Sequence, residues 1–299
     1  MKKAIPIKSI ETTTKEEFRA EHRGTPAIIK DGMAGHPAEG MTLDTISDLF
    51  GSATIQYAKD LYGEDRELAE GECKLSDFIS QILNGPAEGL ATRSFITKGV
   101  LNLVDILSIP YFCEDWFDDY FSELWKNIIV SQKSHLWLFI GQKGAISGFH
   151  QDHHGVHTTL LQVEGTKEIV LFSPEESSAI CDVKEFGHCN INKDPDHKEY
   201  GSVNFIDSIF SDKDELFKGF QPLYGVLQAG QALYLPSNWG HYVRSLTPSV
   251  TFSRDMIDDR NVDEYFCSFL AEDATRSGPE RKGHFDNPTF FEQLVERLI

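Results

Sequence analysis

Residues 147 to 157, SGFHQDHHGVH, hold four histidines and one aspartate. In extended chain, residues two apart face the same way. His150 and Asp152 of HQD therefore present an imidazole and a carboxylate on one side, with Gln151 turned away. Two such groups can take adjacent corners of a metal's coordination sphere. A second histidine completes a facial triad of two histidines and one carboxylate, which leaves the remaining positions open for chemistry. His241 is the candidate. The preceding AGQALYLPSNWG reads as a turn at Gly230, a buried strand, and a second turn around Pro236 and Asn238. A histidine after such a unit sits at the mouth of a barrel. An HxD pair alone often occurs by chance, and a polar barrel rim without metal is the plain alternative. Joined to a histidine that opens another β-prone run, the pair is more specific. His153, His154 and His157 are surplus to the triad and are expected at the entrance or on the surface.

These residues need a rigid frame, and the chain has the composition for one. It has 299 residues, 40% hydrophobic and 25% charged, ordinary values for a globular protein with a substantial core. In the N-terminal part, Thr14 followed by Glu17 forms a capping-box pattern that starts a helix. Pro26 ends it, and AIIK reads as a strand. MTLDTISDLFG (41–51) and KLSDFISQIL (74–83) carry apolar residues at helical spacing. EDWFDDYFSELWKNI (114–128) is helical at least in part, with Trp116, Phe117, Tyr120 and Phe121 read first as core. From about 135 the pattern changes to short β-prone runs: HLWLFIG, TTLLQVEG, KEIVLF, QALYLP, HYVRSL and SVTFSR. Several strands of this length between turns imply a sandwich or barrel. A long polar interruption fills 174–222, and helical patterns return after 260 in NVDEYFCSFLAEDA and NPTFFEQLVERLI.

Charge and cysteines narrow the function classes. The net charge of −19 disfavours nucleic acid as a partner and is compatible with a basic peptide or cationic small molecule. An acidic surface that keeps the protein soluble explains the same number without a partner. No apolar run reaches the length of a membrane span, and MKKAIPIKSIETTT lacks the apolar stretch of a secretory signal, so the expected location is cytoplasmic. Cys73, Cys113, Cys181, Cys189 and Cys267 are scattered and read as reduced thiols. A zinc site at Cys181, His188 and Cys189 would need a fourth ligand and tighter spacing.

From about 135 to 255 the chain resembles the JmjC/cupin-like 2-oxoglutarate oxygenases. HLWLFIG, HQD, LLQVEGTKEIVLFSP, LQAGQALYLPSNWGHYV and SVTFSRD carry the likeness, and EEFRAEHRGTPAIIKDG with TLDTISDLFG extends it over most of the chain. The resemblance implies a mainly β fold, a double-stranded β-helix (cupin or jelly-roll) core with an N-terminal α/β extension and C-terminal helices. It implies an oxygenase domain over 1–259, with the core at about 130–256, and a helical extension over 260–299. The helix near Phe290, Phe291 and Leu294 is then a candidate homodimer face, although an amphipathic helix packed on its own domain looks the same. It also implies Fe(II) on His150, Asp152 and His241, 2-oxoglutarate as cosubstrate, and dioxygen as oxidant. Lys167, on the strand after HxD, would pair with the far carboxylate of 2-oxoglutarate. Ser147, Ser253 and Thr158 would join it, with Thr158 or Thr159 standing where relatives often carry asparagine or another polar group. The implied reaction is hydroxylation of a protein side chain or small molecule; demethylation runs through the same step on an N-methyl carbon. A metal-dependent cupin enzyme that does not use 2-oxoglutarate, or a non-catalytic binding module, remain open alternatives.

Overall fold

Alternation of apolar and polar residues along the strands sets the architecture. The computed structural model describes residues 4–58, 71–86, 89–95, 108–119, 136–180 and 219–275. Two sheets dominate. The first runs in the order β1 (Ile5–Pro6), β11 (Leu223–Gln228), β10 (Thr166–Phe172), β13 (Gly240–Ser245), β8 (Ile146–His150). The second runs β2 (Lys8–Ile10), β3 (Ala27–Ile29), β12 (Ala232–Leu235), β9 (His157–Glu164), β14 (Ser249–Met256), β7 (Leu136–Gly141), β6 (Ala91–Phe95). All neighbours are antiparallel except β1 with β11 and β2 with β3. A separate pair joins β4 (Thr54–Tyr57) and β5 (Gly71–Lys74).

The two sheets face each other. Ile169, Leu171, Leu227 and Val243 of the first meet Ile28, Leu160, Leu233 and Leu235 of the second in one buried cluster. The outer side of the second sheet carries the larger core. There Val250, Phe252 and Met256 of β14 pack with Phe18, Leu43, Ile46, Phe78 and Phe117 from helices. Each such side chain taken out of water contributes about 2 kcal/mol. The intervening residues of β14, Thr251, Ser253 and Asp255, point between the sheets. The period of two thus gives one strand an apolar outer face and a polar inner one. The result is a mostly β fold of jelly-roll type, built from two facing sheets rather than a closed barrel.

The helices are α1 (Lys15–Glu21), α2 (Leu43–Phe50), α3 (Leu75–Asn84), α4 (Trp116–Asp119), α5 (Pro174–Ile180) and α6 (Val262–Thr275). α1 begins with the expected capping box: Glu17 N–H donates to Thr14 Oγ1 at 3.1 Å, and Thr14 N–H donates to Glu17 Oε2 at 3.4 Å. It ends before Pro26, because the His22 and Arg23 amides both turn back to the Phe18 carbonyl. The interruption expected over 174–222 opens with α5. Residues 181–218, with Cys181, His188 and Cys189, lie outside the described residues, as do Tyr120, Phe121 and the second C-terminal helix. Cys73, Cys113 and Cys267 are free thiols. Among the described residues, no helix is long and apolar enough to cross a membrane.

Candidate metal centre

His150 ends β8, and His241 is the second residue of β13. The two are register partners on adjacent strands. Two steps further along β13, Val243 pairs with Ser147, three steps back along β8. The extra residue on β8 is a bulge, which reverses the strand's alternation. Ser147 and His150, an odd number apart, therefore both face the space between the sheets. Asp152 lies just beyond the strand, yet its backbone is extended (φ −68°, ψ 149°) and so keeps the facing that strand spacing predicts. Gln151, turned the other way, donates to the Asn238 carbonyl at 2.6 Å and ties this stretch to the turn before His241.

The three side chains converge. Asp152 Oδ1 lies 3.8 Å from His150 Nε2 and 3.8 Å from His241 Nε2. The imidazole rings are 4.0 Å apart at their centroids. Atoms at this spacing share a point about 2 Å from each, the usual bond length for nitrogen and oxygen ligands to a transition metal. The proton positions suit the same purpose. His150 Nδ1 is 2.7 Å from the Gly148 carbonyl and His241 Nδ1 is 3.2 Å from the Trp239 carbonyl. A carbonyl only accepts, so each Nδ1 carries the proton and each Nε2 offers its lone pair toward Asp152.

Thr158 Oγ1 donates to Asp152 Oδ2 at 2.6 Å and lies 3.2 Å from Asp255 Oδ1. One hydroxyl has one proton, so satisfying both contacts needs a proton on Asp255. Its environment agrees: burial, and then the charge of Asp152, push the Asp255 carboxyl well above the usual range. Asp152 Oδ2 is held by Thr158, and Oδ1 is turned to the imidazoles.

A cavity of about 470 Å³, its mouth included, opens from the triad between the two sheets. Ser147, Lys167, Ser253 and Thr158 all line it. Lys167 sits on β10, one strand later than its expected place after HxD, because β9 intervenes. Its ammonium has no hydrogen bond or ion pair with a described residue, and Nζ lies over the Phe139 ring, 5.7 Å from the centroid. Burial lowers its pKa to about 7. An uncompensated ammonium in such a place is costly, and an anion in the cavity would relieve it. Trp137, Phe139, Leu160 and Val243 supply apolar wall. Sequence reading missed Asp255 and Thr251, although the alternation of Thr251, Ser253 and Asp255 on one strand was a usable signal.

The surplus histidines depart from expectation. His153 is exposed, but His154 and His157 are buried. His154 meets Ser268 of α6 at 3.0 Å and Tyr265 edge-on. His157 Nδ1 accepts from the Ser237 amide at 2.9 Å, so Nε2 carries its proton toward Asp258 Oδ1, 3.2 Å away. Both histidines brace the frame. Trp239 packs at the edge of the inner apolar cluster, consistent with a structural part.

Comparison with known proteins agrees with this fold. JmjC domain-containing protein D of Dictyostelium discoideum is 33% identical over 113 residues, covering 37% of this chain and 22% of that protein. The 2-oxoglutarate and iron-dependent oxygenase JMJD4 of Danio rerio is 24% identical over 156 residues, 51% of this chain and 32% of that one. Lysine-specific demethylase JMJ30 of Arabidopsis thaliana is 25% identical over 242 residues, 77% and 49% respectively. The chain therefore spans half or less of these relatives' own lengths. The model of the cupin-like domain matches residues 14–257, which include all but the first edge strands of both sheets and the entire triad, and the chain belongs to this JmjC/cupin-like family.

Proposed function

We propose that the chain is an Fe(II)- and 2-oxoglutarate-dependent oxygenase of hydroxylase type, acting on a basic protein segment or a small molecule. One observation carries this reading. A single cavity holds a triad of metal-ligand type and a buried ammonium with no counter-ion among the described residues. Family membership and the names of the JMJD4 and JMJ30 relatives, an iron- and 2-oxoglutarate-dependent oxygenase and a demethylase, support it.

Each residue then has a task. His150, Asp152 and His241 hold the iron, their rings fixed by the Gly148 and Trp239 carbonyls. Thr158 holds Asp152 so that one oxygen stays directed at the metal. Lys167 neutralises the far carboxylate of 2-oxoglutarate, and the Ser147 and Ser253 hydroxyls, which line the same cavity from the two facing sheets, donate to it. Trp137, Phe139, Leu160 and Val243 keep bulk water from the cosubstrate's carbon chain. Iron bound to this face supplies the oxidising chemistry with dioxygen, at positions the three side chains leave open.

The test is anaerobic. Fe(II) followed by 2-oxoglutarate should give a weak visible charge-transfer band with the intact chain and none with Asp152→Ala. A screen of basic peptides and metabolites for stimulated succinate formation then identifies the substrate. Absence of the band in the intact chain would overturn the proposal.

A further inference from the structure

The helix after the last strand grips both turns that flank the metal ligands. α6 begins at Val262, beyond residue 257, where the match to the cupin-like domain ends. Asn261 immediately precedes it, and the Asn261 carbonyl accepts the first helical hydrogen bond, from the Tyr265 amide at 2.9 Å. Residues three or four apart share a helix face, so Asn261, Glu264 and Ser268 form one stripe. Asn261 Nδ2 donates to the Gly155 carbonyl at 2.9 Å. Ser268 Oγ lies 3.0 Å from His154 Nδ1, and Tyr265 meets the same ring edge-on. Glu264 accepts from Asn238 Nδ2 with both oxygens, at 3.0 and 2.9 Å. Its carboxylate also lies against the bare face of Gly155, where a Cβ would come 2.6 Å from Glu264 Cδ. One side chain thus touches a turn just after Asp152 and a turn just before His241.

The backbone shows why such a grip is needed. Among the described residues, His154 (φ 59°) and Asn238 (φ 66°) are the only non-glycine residues with positive φ. Left-handed backbone is unfavourable for a residue with a side chain and persists where the surroundings hold it. α6 holds both. In this conformation Asn238 faces two ways: its carbonyl accepts from Gln151 Nε2 at 2.6 Å, and its side chain reaches Glu264. Gln151 stands between His150 and Asp152, so the path Glu264–Asn238–Gln151 ends inside HQD.

We infer that Glu264 of α6 is a positioning residue for the metal centre: holding Asn238 and lying on Gly155, it fixes the turn of Asp152 against the turn of His241. This rests on the metal-binding reading above and deepens it, giving part of the site's geometry to a helix outside the matched domain. β8 and β13 pair directly, which places His150 beside His241. Asp152 lies beyond that ladder, so its distance from the two imidazoles depends on the turns around it. Thr158 orients the Asp152 carboxylate locally, and Glu264 holds the segment that carries it. Glu264 is exposed, so loss of its contact changes overall stability little. A fall in metal affinity without a matching fall in stability is the mark of positioning.

The experiment is anaerobic calorimetric titration of Fe(II) into the full chain and its variants, with urea unfolding of the same proteins free of metal. Glu264→Ala should weaken Fe(II) binding by about tenfold, as for other groups that orient metal ligands, and leave the unfolding midpoint nearly unchanged. Glu264→Gln keeps an acceptor oxygen for Asn238 and should recover most of the affinity. Asn238→Gly removes the partner side chain while tolerating the positive φ. Adding Glu264→Ala to it should cost less than about twofold more, because the two residues act through one contact. Fe(II) affinity of Glu264→Ala within about twofold of the intact chain overturns this inference and leaves the metal-binding reading intact. Full additivity in the double variant, or a loss that Glu264→Gln does not reverse, also overturns it. If the intact chain does not bind Fe(II), the metal-binding reading fails and this inference with it.

Discussion

A neutral imidazole binds metal through whichever nitrogen its proton leaves free, so the carbonyls behind His150 and His241 matter as much as the rings. Thr158 does the same for the carboxylate. Thr158→Val keeps the shape and removes the donor to Asp152 Oδ2. It should lower Fe(II) affinity by about tenfold, measured by anaerobic titration, as for other groups that orient metal ligands. The triad itself was legible in the sequence because two of its members are two residues apart, a spacing that survives whether or not the strand continues. The Thr158 contact was not, because it depends on how β9 lies against Asp152. Lys167 gives a second prediction. Its pKa is about 7 in the folded protein and about 10.4 in an unfolded chain. Between these values the unfolded chain binds the extra proton, so stability of the metal-free protein rises with pH from about 7 toward about 10. Below about 7 both states are protonated and this gain is absent. Urea unfolding across that range should show the rise, and Lys167→Met should flatten it. A dicarboxylate favours the protonated lysine, so 2-oxoglutarate affinity should move the opposite way and fall as pH rises above about 7. If Lys167→Met leaves the apparent 2-oxoglutarate requirement unchanged, the lysine has no part in cosubstrate binding.

At the scale of elements, local signals were readable and pairing was not. The Thr14–Glu17 cap, the helical spacing of 43–50 and the alternation of SVTFSRD all depend on neighbours within a few residues. The β8 bulge depends on a strand some ninety residues away. That is why the common facing of Ser147 and His150 could be assigned only through family resemblance. The burial of His154 and His157 was missed for a similar reason, since their partners Ser268, Ser237 and Asp258 are remote in sequence. Asp115 shows what such long-range ties are worth. Its carboxylate accepts from Arg254 Nη2 at 2.9 Å and from the Ile257 amide at 3.2 Å, fastening the segment before α4 to the end of β14. Both side chains are buried. Asp115→Ala leaves a buried guanidinium without that charge and should destabilise the fold by about 3 kcal/mol or more, read from denaturant unfolding. Leucine at the same position fills the space but leaves the same charge, so it should not restore stability.

For the whole molecule the dominant quantity is charge. With 47 acidic and 28 basic residues the chain carries −19, and its far field attracts cations and repels anions. The triad histidines are buried between two sheets and Asp152 is half-buried, so salt screens the approach of a substrate more than the contacts it makes once bound. If the substrate is a basic protein segment, the apparent KM for an Arg- or Lys-rich peptide should rise severalfold between roughly 0.05 M and 0.3 M salt, while kcat stays nearly constant. The cosubstrate supplies an internal control. 2-Oxoglutarate is a dianion, and screening relieves its repulsion from the acidic surface, so its apparent KM should hold steady or fall over the same range. Opposite trends for peptide and cosubstrate in one set of succinate assays cannot come from a general effect of salt on the enzyme. A substrate KM that is independent of salt, or that follows 2-oxoglutarate downward, would rule out the basic segment and leave a neutral or anionic small molecule to be sought.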